Sequence, residues 1–152
     1  MSIHDDYIYK AINQSFKSNC THKHGAIIVD SCSGKIIATG YNRLSNNQKD
    51  TLSIHAEIDA LRKIKSCYNK YDNLIMYIIR FSGNKQELKY SKPCINCATN
   101  IISFGIRRIY FSDQVNFTDK ITGYTNDNIK ICGLNDVSKH FKKNPTFTNK
   151  IF

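Results

Sequence analysis

The sequence predicts an α/β protein, a three-layer α/β/α sandwich around a mixed sheet of about five strands. Three observations carry this. Segments of helical period alternate with short β-branched runs. One of those runs is apolar almost throughout, as a strand buried on both faces must be. The chain, 152 residues at 41% hydrophobic content, is long enough for one core and too short for two ordinary domains.

Behind an acidic first turn, residues 5–19 place Tyr7, Ile8, Ala11, Ile12, Ser15 and Phe16 at helical spacing, which predicts an amphipathic helix lying on the sheet. GAIIVD and KIIATGY, joined by SCSG, predict an antiparallel hairpin from Gly25 to Tyr41. Asn42 to Ser53 is polar and aperiodic and is expected to form a loop. IHAEIDALRKIK then brings Ile54, Ile58, Leu61 and Ile64 onto one helical face. NLIMYIIRF, Asn73 to Phe81, is the doubly buried run and is expected at the centre of the sheet. Beyond a polar turn around Gly83, PCINCATNIISFG predicts a helix from Pro93 stopped by Gly105, and IRRIYFS the strand that completes a βαβ crossover. The tail is polar, with a weak strand near Ile129 to Cys132 and a short helix near Val137 to Phe141. Residues 1–112 are thus expected to form one domain, and residues 113–152 an extension packed on it.

No apolar run approaches the roughly 18–20 residues of a membrane span, so no membrane partner is expected. The opening MSIHDDYIYK lacks an apolar stretch with a cleavage site, and the expected compartment is cytoplasmic. Six cysteines in such a chain read as thiols and metal ligands rather than a disulfide framework. The formal net charge of +10 favours anionic partners, nucleotides or nucleic acid. That charge is carried mostly by Lys, beside abundant Ile, Asn and Tyr, as an A- and T-rich coding sequence would produce. Arg is the better bidentate phosphate ligand, so nucleic acid is the lesser expectation.

One histidine and two cysteines, His55, Cys94 and Cys97, meet the ligand count of a catalytic Zn2+ site that keeps its fourth position open. The CxxC spacing at a helix start turns both sulfurs to one side, and the helix dipole there favours thiolates. Glu57, two residues beyond His55, is near enough to move protons without ligating the metal. An isolated CxxC reads equally as a structural zinc half-site or a redox pair, and HAE alone as a helical stretch. Together they are far more specific.

HAE at 55–57 with PCINC at 93–97 is similar to the zinc signature of the cytidine and deoxycytidylate deaminase superfamily. The similarity runs from about Tyr7 to Ser112, with hairpin, loop, both motif helices and the last strand in the family's order. The resemblance implies a cytidine-deaminase-like fold, a homo-oligomer and a small-molecule nucleotide substrate. Free cytidine deaminases usually carry cysteine at the position of His55, so the HAE form resembles deoxycytidylate, tRNA adenosine, guanine or riboflavin-pathway deaminases. KSNC at 17–20, TGYN at 39–42 and HAEIDAL resemble deoxycytidylate deaminases. From these matches, Asn42 would bond the sugar or base, Ala56 would offer backbone groups to the base edge, and Lys92 would attract phosphate. Two residues depart from that pattern: Asp59 stands where asparagine is favoured, and Arg43 where glycine follows Asn42. Lys92 also replaces the glutamate usual before PC in tRNA adenosine deaminases. The expected function is hydrolytic deamination of dCMP or CMP. The alternatives are a deaminase of tRNA or another nucleic acid, and a catalytically silent zinc-bound nucleotide-binding or partner subunit, against which Glu57 argues.

Cys20, His22 and His24 are a candidate second metal cluster, against which stand the alternating spacing of a strand edge and the want of an evident fourth ligand in the sequence. Cys32, Cys67 and Cys132 read as packing or surface residues, and Tyr77, Phe81, Phe104, Tyr110 and Phe111 as core.

Overall fold

The structure, a computed structural model, describes residues 3–46, 51–64, 73–82, 87–89, 91, 93–106, 108–112 and 130–133. The opening helix, α1, is Ile3–Ser15. It ends earlier than the predicted span to 19: the Lys17 and Ser18 N–H groups donate to Gln14 O and Ser15 O, three residues back, at 3.1 Å each, a tighter turn that closes the helix, and the Ser15 hydroxyl donates to Ile12 O at 2.6 Å. The predicted hairpin forms as β1, His24–Asp30, and β2, Ile36–Tyr41, paired antiparallel. Asp30 closes its turn by accepting from Cys32 N at 3.1 Å and Ser33 Oγ at 2.8 Å.

The expected loop from Asn42 to Ser53 is instead a second, two-stranded sheet, β3 (Arg43–Asn46) on β4 (Thr51–Ile54). Leu44 on β3 is exposed. The segment shows no alternation of apolar residues, the signal by which strands are read, and a ladder of backbone bonds forms without it.

Next come α2, Ala56–Ile64, and β5, Leu74–Ser82. β6, Glu87–Lys89, is a short strand not foreseen, antiparallel to the end of β5. α3 is Ile95–Ser103, two residues later than the predicted start at Pro93, with Cys94 as its N-cap and Gly105 beyond its end at φ 78°. β7, Arg108–Phe111, runs parallel to β5 and completes the βαβ unit, and β8, Lys130–Gly133, lies parallel to β7 where the tail's weak strand was expected. The sheet order is β2-β1-β5-β7-β8, with β6 also on β5, so β5 is central as its composition required. The turn around Gly83 and the helix near Val137 to Phe141 lie outside the described residues. Among those described, no helix is long and apolar enough to cross a membrane.

Alternate side chains of the central strands enter two cores, one on each face of the sheet. Ala26 and Ile28 of β1 with Met76 and Ile78 of β5 pack against Ala60, Leu61 and Ile64 of α2 and Ile101 of α3. Ile27, Val29, Tyr77, Ile79 and Phe81 pack against Tyr7, Ile8, Ala11 and Ile12 of α1. The three layers are therefore α1, sheet, and α2 with α3.

Glycine sets how closely the helices lie. A Cβ at Gly40 of β2 would stand 2.4 Å from Ala56 O and 2.6 Å from Ala60 N, and one at Gly25 of β1 only 1.9 Å from Ala11 O. At the far end of β5 a serine pair ties the chain before α3 to the sheet. Ser91 Oγ donates to Ile78 O at 2.8 Å and lies 2.7 Å from Ser112 Oγ, which accepts from Arg80 N at 3.1 Å. Ser91 N donates to Ser112 O at 2.8 Å.

Gly40→Ala should therefore lower the unfolding free energy by about 1–3 kcal/mol, read from the urea midpoint, because the added carbon meets helix backbone that cannot rotate away. Ser91→Ala should cost about 1–3 kcal/mol in the same titration, since buried partners of its hydroxyl are left without it.

Candidate active site

Two helix starts converge beside the sheet. His55 immediately precedes α2, and Cys94 and Cys97 occupy the start of α3. The Cys97 N–H donates to Cys94 Sγ at 3.5 Å, so the capping sulfur and the buried sulfur one turn on face the same space. His55 Nδ1 lies 3.2 Å from Cys97 Sγ and 3.8 Å from Cys94 Sγ. Ligand atoms of all three residues fall within 4.8 Å of one another, and they are the one such His/Cys/Asp/Glu group among the described residues. One imidazole nitrogen and two sulfurs form a donor set suited to zinc.

Glu57, on the first turn of α2, is 5% exposed, with Oε2 4.0 Å from His55 Nδ1. Burial raises its carboxyl above the usual carboxylate range, against the opposing pull of the Cys97 thiol and of His55. The Cys97 thiol is likewise driven far up, first by burial and then by the neighbouring Glu57 carboxylate.

A cavity of about 360 Å³ opens onto this cluster. His55, Ala56, Glu57 and Cys94 line it from the helix starts, and Thr21, His22, His24 and Asn42 from the α1–β1 connection and the end of β2. A second cleft between α2 and α3 also borders His55, Cys94 and Cys97, but its remaining lining includes Ile58, Leu61 and Phe104 and not Glu57. The first cavity alone joins the buried carboxyl to the histidine and cysteine cluster.

Of the residues picked from sequence, His55, Glu57, Cys94 and Cys97 come together, and Asn42 and Ala56 line the same cavity. Lys92 lies outside the described residues. The Asn42 carboxamide is partly committed: Oδ1 accepts from His24 N at 2.7 Å and Nδ2 donates to His22 O at 2.6 Å. Among the described residues this leaves one N–H and one lone pair for other partners. His22, His24 and Ser91 belong to the lining and were not foreseen. His22 Nδ1 faces the Arg80 guanidinium at 2.6 Å and must accept from it, which leaves its proton on Nε2. His24 is pushed down to about 4 by burial and by the nearby Arg80 guanidinium, against the opposing bond to the His22 carbonyl, and is neutral at pH 7. Alternating histidines signal a strand edge in sequence, and only the tertiary fold shows that this edge walls a cavity.

The family described as the cytidine and deoxycytidylate deaminase zinc-binding region matches residues 1–113. Among solved structures, the dCMP deaminase of cyanophage S-TIM5 in complex with dCMP and dUMP is similar at 24% identity and a TM-score of 0.63, over 88% of this chain and 99% of that one. Cytidine deaminase from Burkholderia pseudomallei is similar at 20% identity and a TM-score of 0.51, over 72% and 81%. A structure from a study of tRNA:A34 deaminases aligns at 17% identity and a TM-score of 0.52, over 87% and 99%. These likenesses show the shared cytidine-deaminase-like fold. No curated protein sequence matches the chain. With the family's zinc-binding region matched across both motif helices, the chain belongs to the cytidine and deoxycytidylate deaminase zinc-binding family.

Proposed function

We propose that the protein is a zinc-dependent hydrolytic deaminase of a pyrimidine nucleotide, converting dCMP or CMP and water into the uracil nucleotide and ammonia. The observation that carries this reading is the buried Glu57 carboxyl, 4.0 Å from His55 Nδ1 and in one cavity with His55 and Cys94. His55, Cys94 and Cys97 would hold the metal, which when bound supplies a Lewis acid able to bring the pKa of water toward neutrality.

Glu57 holds and moves the protons. Its carboxylate takes one from the water whose oxygen bonds to C4 of the base. The resulting acid passes it to the ring nitrogen; the carboxylate then takes the remaining proton of the hydroxyl added at C4 and delivers it to the exocyclic amine, as the C4–N bond breaks and the C4=O bond forms. The raised proton affinity that burial gives Glu57 suits a group that must both accept and return a proton near neutral pH. In this reading the free N–H and lone pair of Asn42 meet the sugar or base, the Ala56 backbone meets the base edge, and Lys92 meets phosphate. The sequence pattern around Asn42 and His55 supports a nucleotide, as does the fold shared with a dCMP deaminase solved with dCMP and dUMP.

The test is ammonia release from zinc-assayed protein offered dCMP, CMP, cytidine, deoxycytidine, guanine and an adenosine-bearing tRNA in parallel. Turnover of dCMP or CMP alone is expected. Turnover confined to tRNA would replace the nucleotide with nucleic acid and bring the net charge of +10 into substrate binding, and silence on all would leave a zinc-bound scaffold. Glu57→Ala should keep its zinc and lose roughly 10²–10⁴-fold in turnover. Cys97→Ala should lose the metal and unfold more readily. A fully active Glu57→Ala enzyme would sink the mechanism.

A further inference from the structure

The two departures noted in the sequence, Asp59 and Arg43, meet in the fold. Asp59 lies on α2 two residues beyond Glu57 and is 3% exposed. Its Oδ1 stands 2.8 Å from Arg43 Nη1, and its Oδ2 accepts the Tyr41 backbone N–H at 3.2 Å. Lys63, one turn along α2, adds a second cation at 3.6 Å. The carboxylate therefore grips the residues on both sides of Asn42. The Arg43 guanidinium also lies 5.5 Å from the centre of the Tyr41 ring, which stiffens the same corner.

Asn42 passes this constraint on. Besides its side-chain bonds to His24 N and His22 O, its own N–H donates to His24 O at 3.3 Å. A continuous path of ion pair and hydrogen bonds thus runs from the helix that bears Glu57, through residues 41–43, to the His22–His24 wall of the cavity. The path's first link is anchored on a buried carboxylate, where loss of one partner costs far more than at an exposed pair.

We propose that Asp59 is a positioning residue. Through Tyr41 and Arg43 it fixes Asn42, and through Asn42 it fixes the distance between the cavity wall and Glu57, which sets how tightly the nucleotide is held. The effect on substrate rests on the deaminase reading, whereas the effect on the wall does not. Loosening the wall weakens ground-state and transition-state binding alike, so it should appear in KM rather than kcat.

The experiment compares the zinc-loaded full chain with Arg43→Ala, Asp59→Asn and the double variant. Hydrogen exchange is followed at the His24 amide, together with KM and kcat on whichever substrate the parent turns over. Arg43 is partly exposed, so its truncation should leave the fold intact and keeps the test usable if Asp59→Asn does not fold. Each single change should speed exchange at His24 roughly tenfold and raise KM by a similar factor, with kcat within about twofold, and the double should do little more than either single, as coupled residues do. A lower Tm with exchange at His24 and KM unchanged would reduce Asp59 to a structural role and overturn the proposal. So would effects of the singles that simply multiply in the double. If the parent turns over nothing, the deaminase reading fails, while the exchange data still judge the positioning of the wall.

Discussion

Backbone contact between α2 and β2 at Gly40 is the constraint on which the rest of the site depends. With no Cβ at that position, Ala56 O and Ala60 N approach the strand more closely than any other residue would allow. That approach brings the first turn of α2 down onto the sheet beside the start of α3. His55 and Glu57 need no long side chains or flexible loop to reach Cys94 and Cys97. They sit on a helix end pinned by main-chain packing, the kind of rigid support that precise chemistry demands.

The electrostatics follow from that closeness. A carboxyl and a thiol, both buried and facing each other, are each pushed toward their neutral forms. Two helix N-termini point positive dipole ends at the same space. A cation bound by the two sulfurs would draw them into their thiolate forms, so metal binding there releases protons. The same helix carries Asp59, whose carboxylate is satisfied by a main-chain N–H and two cations rather than by the cluster. Two carboxylates two residues apart on one helix are thus held in opposite conditions.

Much of this is legible in the sequence because the signals are local. HAE and PCINC each bring their residues to a helix start within a few positions, and the i,i+3 spacing of Cys94 and Cys97 puts both sulfurs on one side. β5 announces its central place through an unbroken apolar run, and the βαβ crossover shows itself through Pro93 and Gly105. Features made by distant backbone are silent. β3 and β4 pair without an apolar alternation to announce them, β6 is three residues long, and the bonds of Ser91 to Ile78 and Ser112 leave no pattern in the order of residues. Asp59 and Arg43 stand in the sequence as two separate oddities, because a compensating pair sixteen positions apart looks like two mismatches until both are placed. The motif around Asn42 points its carboxamide outward to a ligand, whereas half of its bonding capacity is spent on its own chain.

The sheet also divides the molecule in a way that has a practical side. α1 packs into the core on the face away from α2 and α3, and Asn13 on its outer surface is exposed. A dye or biotin attached at Asn13 would therefore sit behind the sheet. Tethered through that point to a sensor surface, the protein would present its cavity to the flowing solution, and ligand capture could be followed without the attachment touching the cavity.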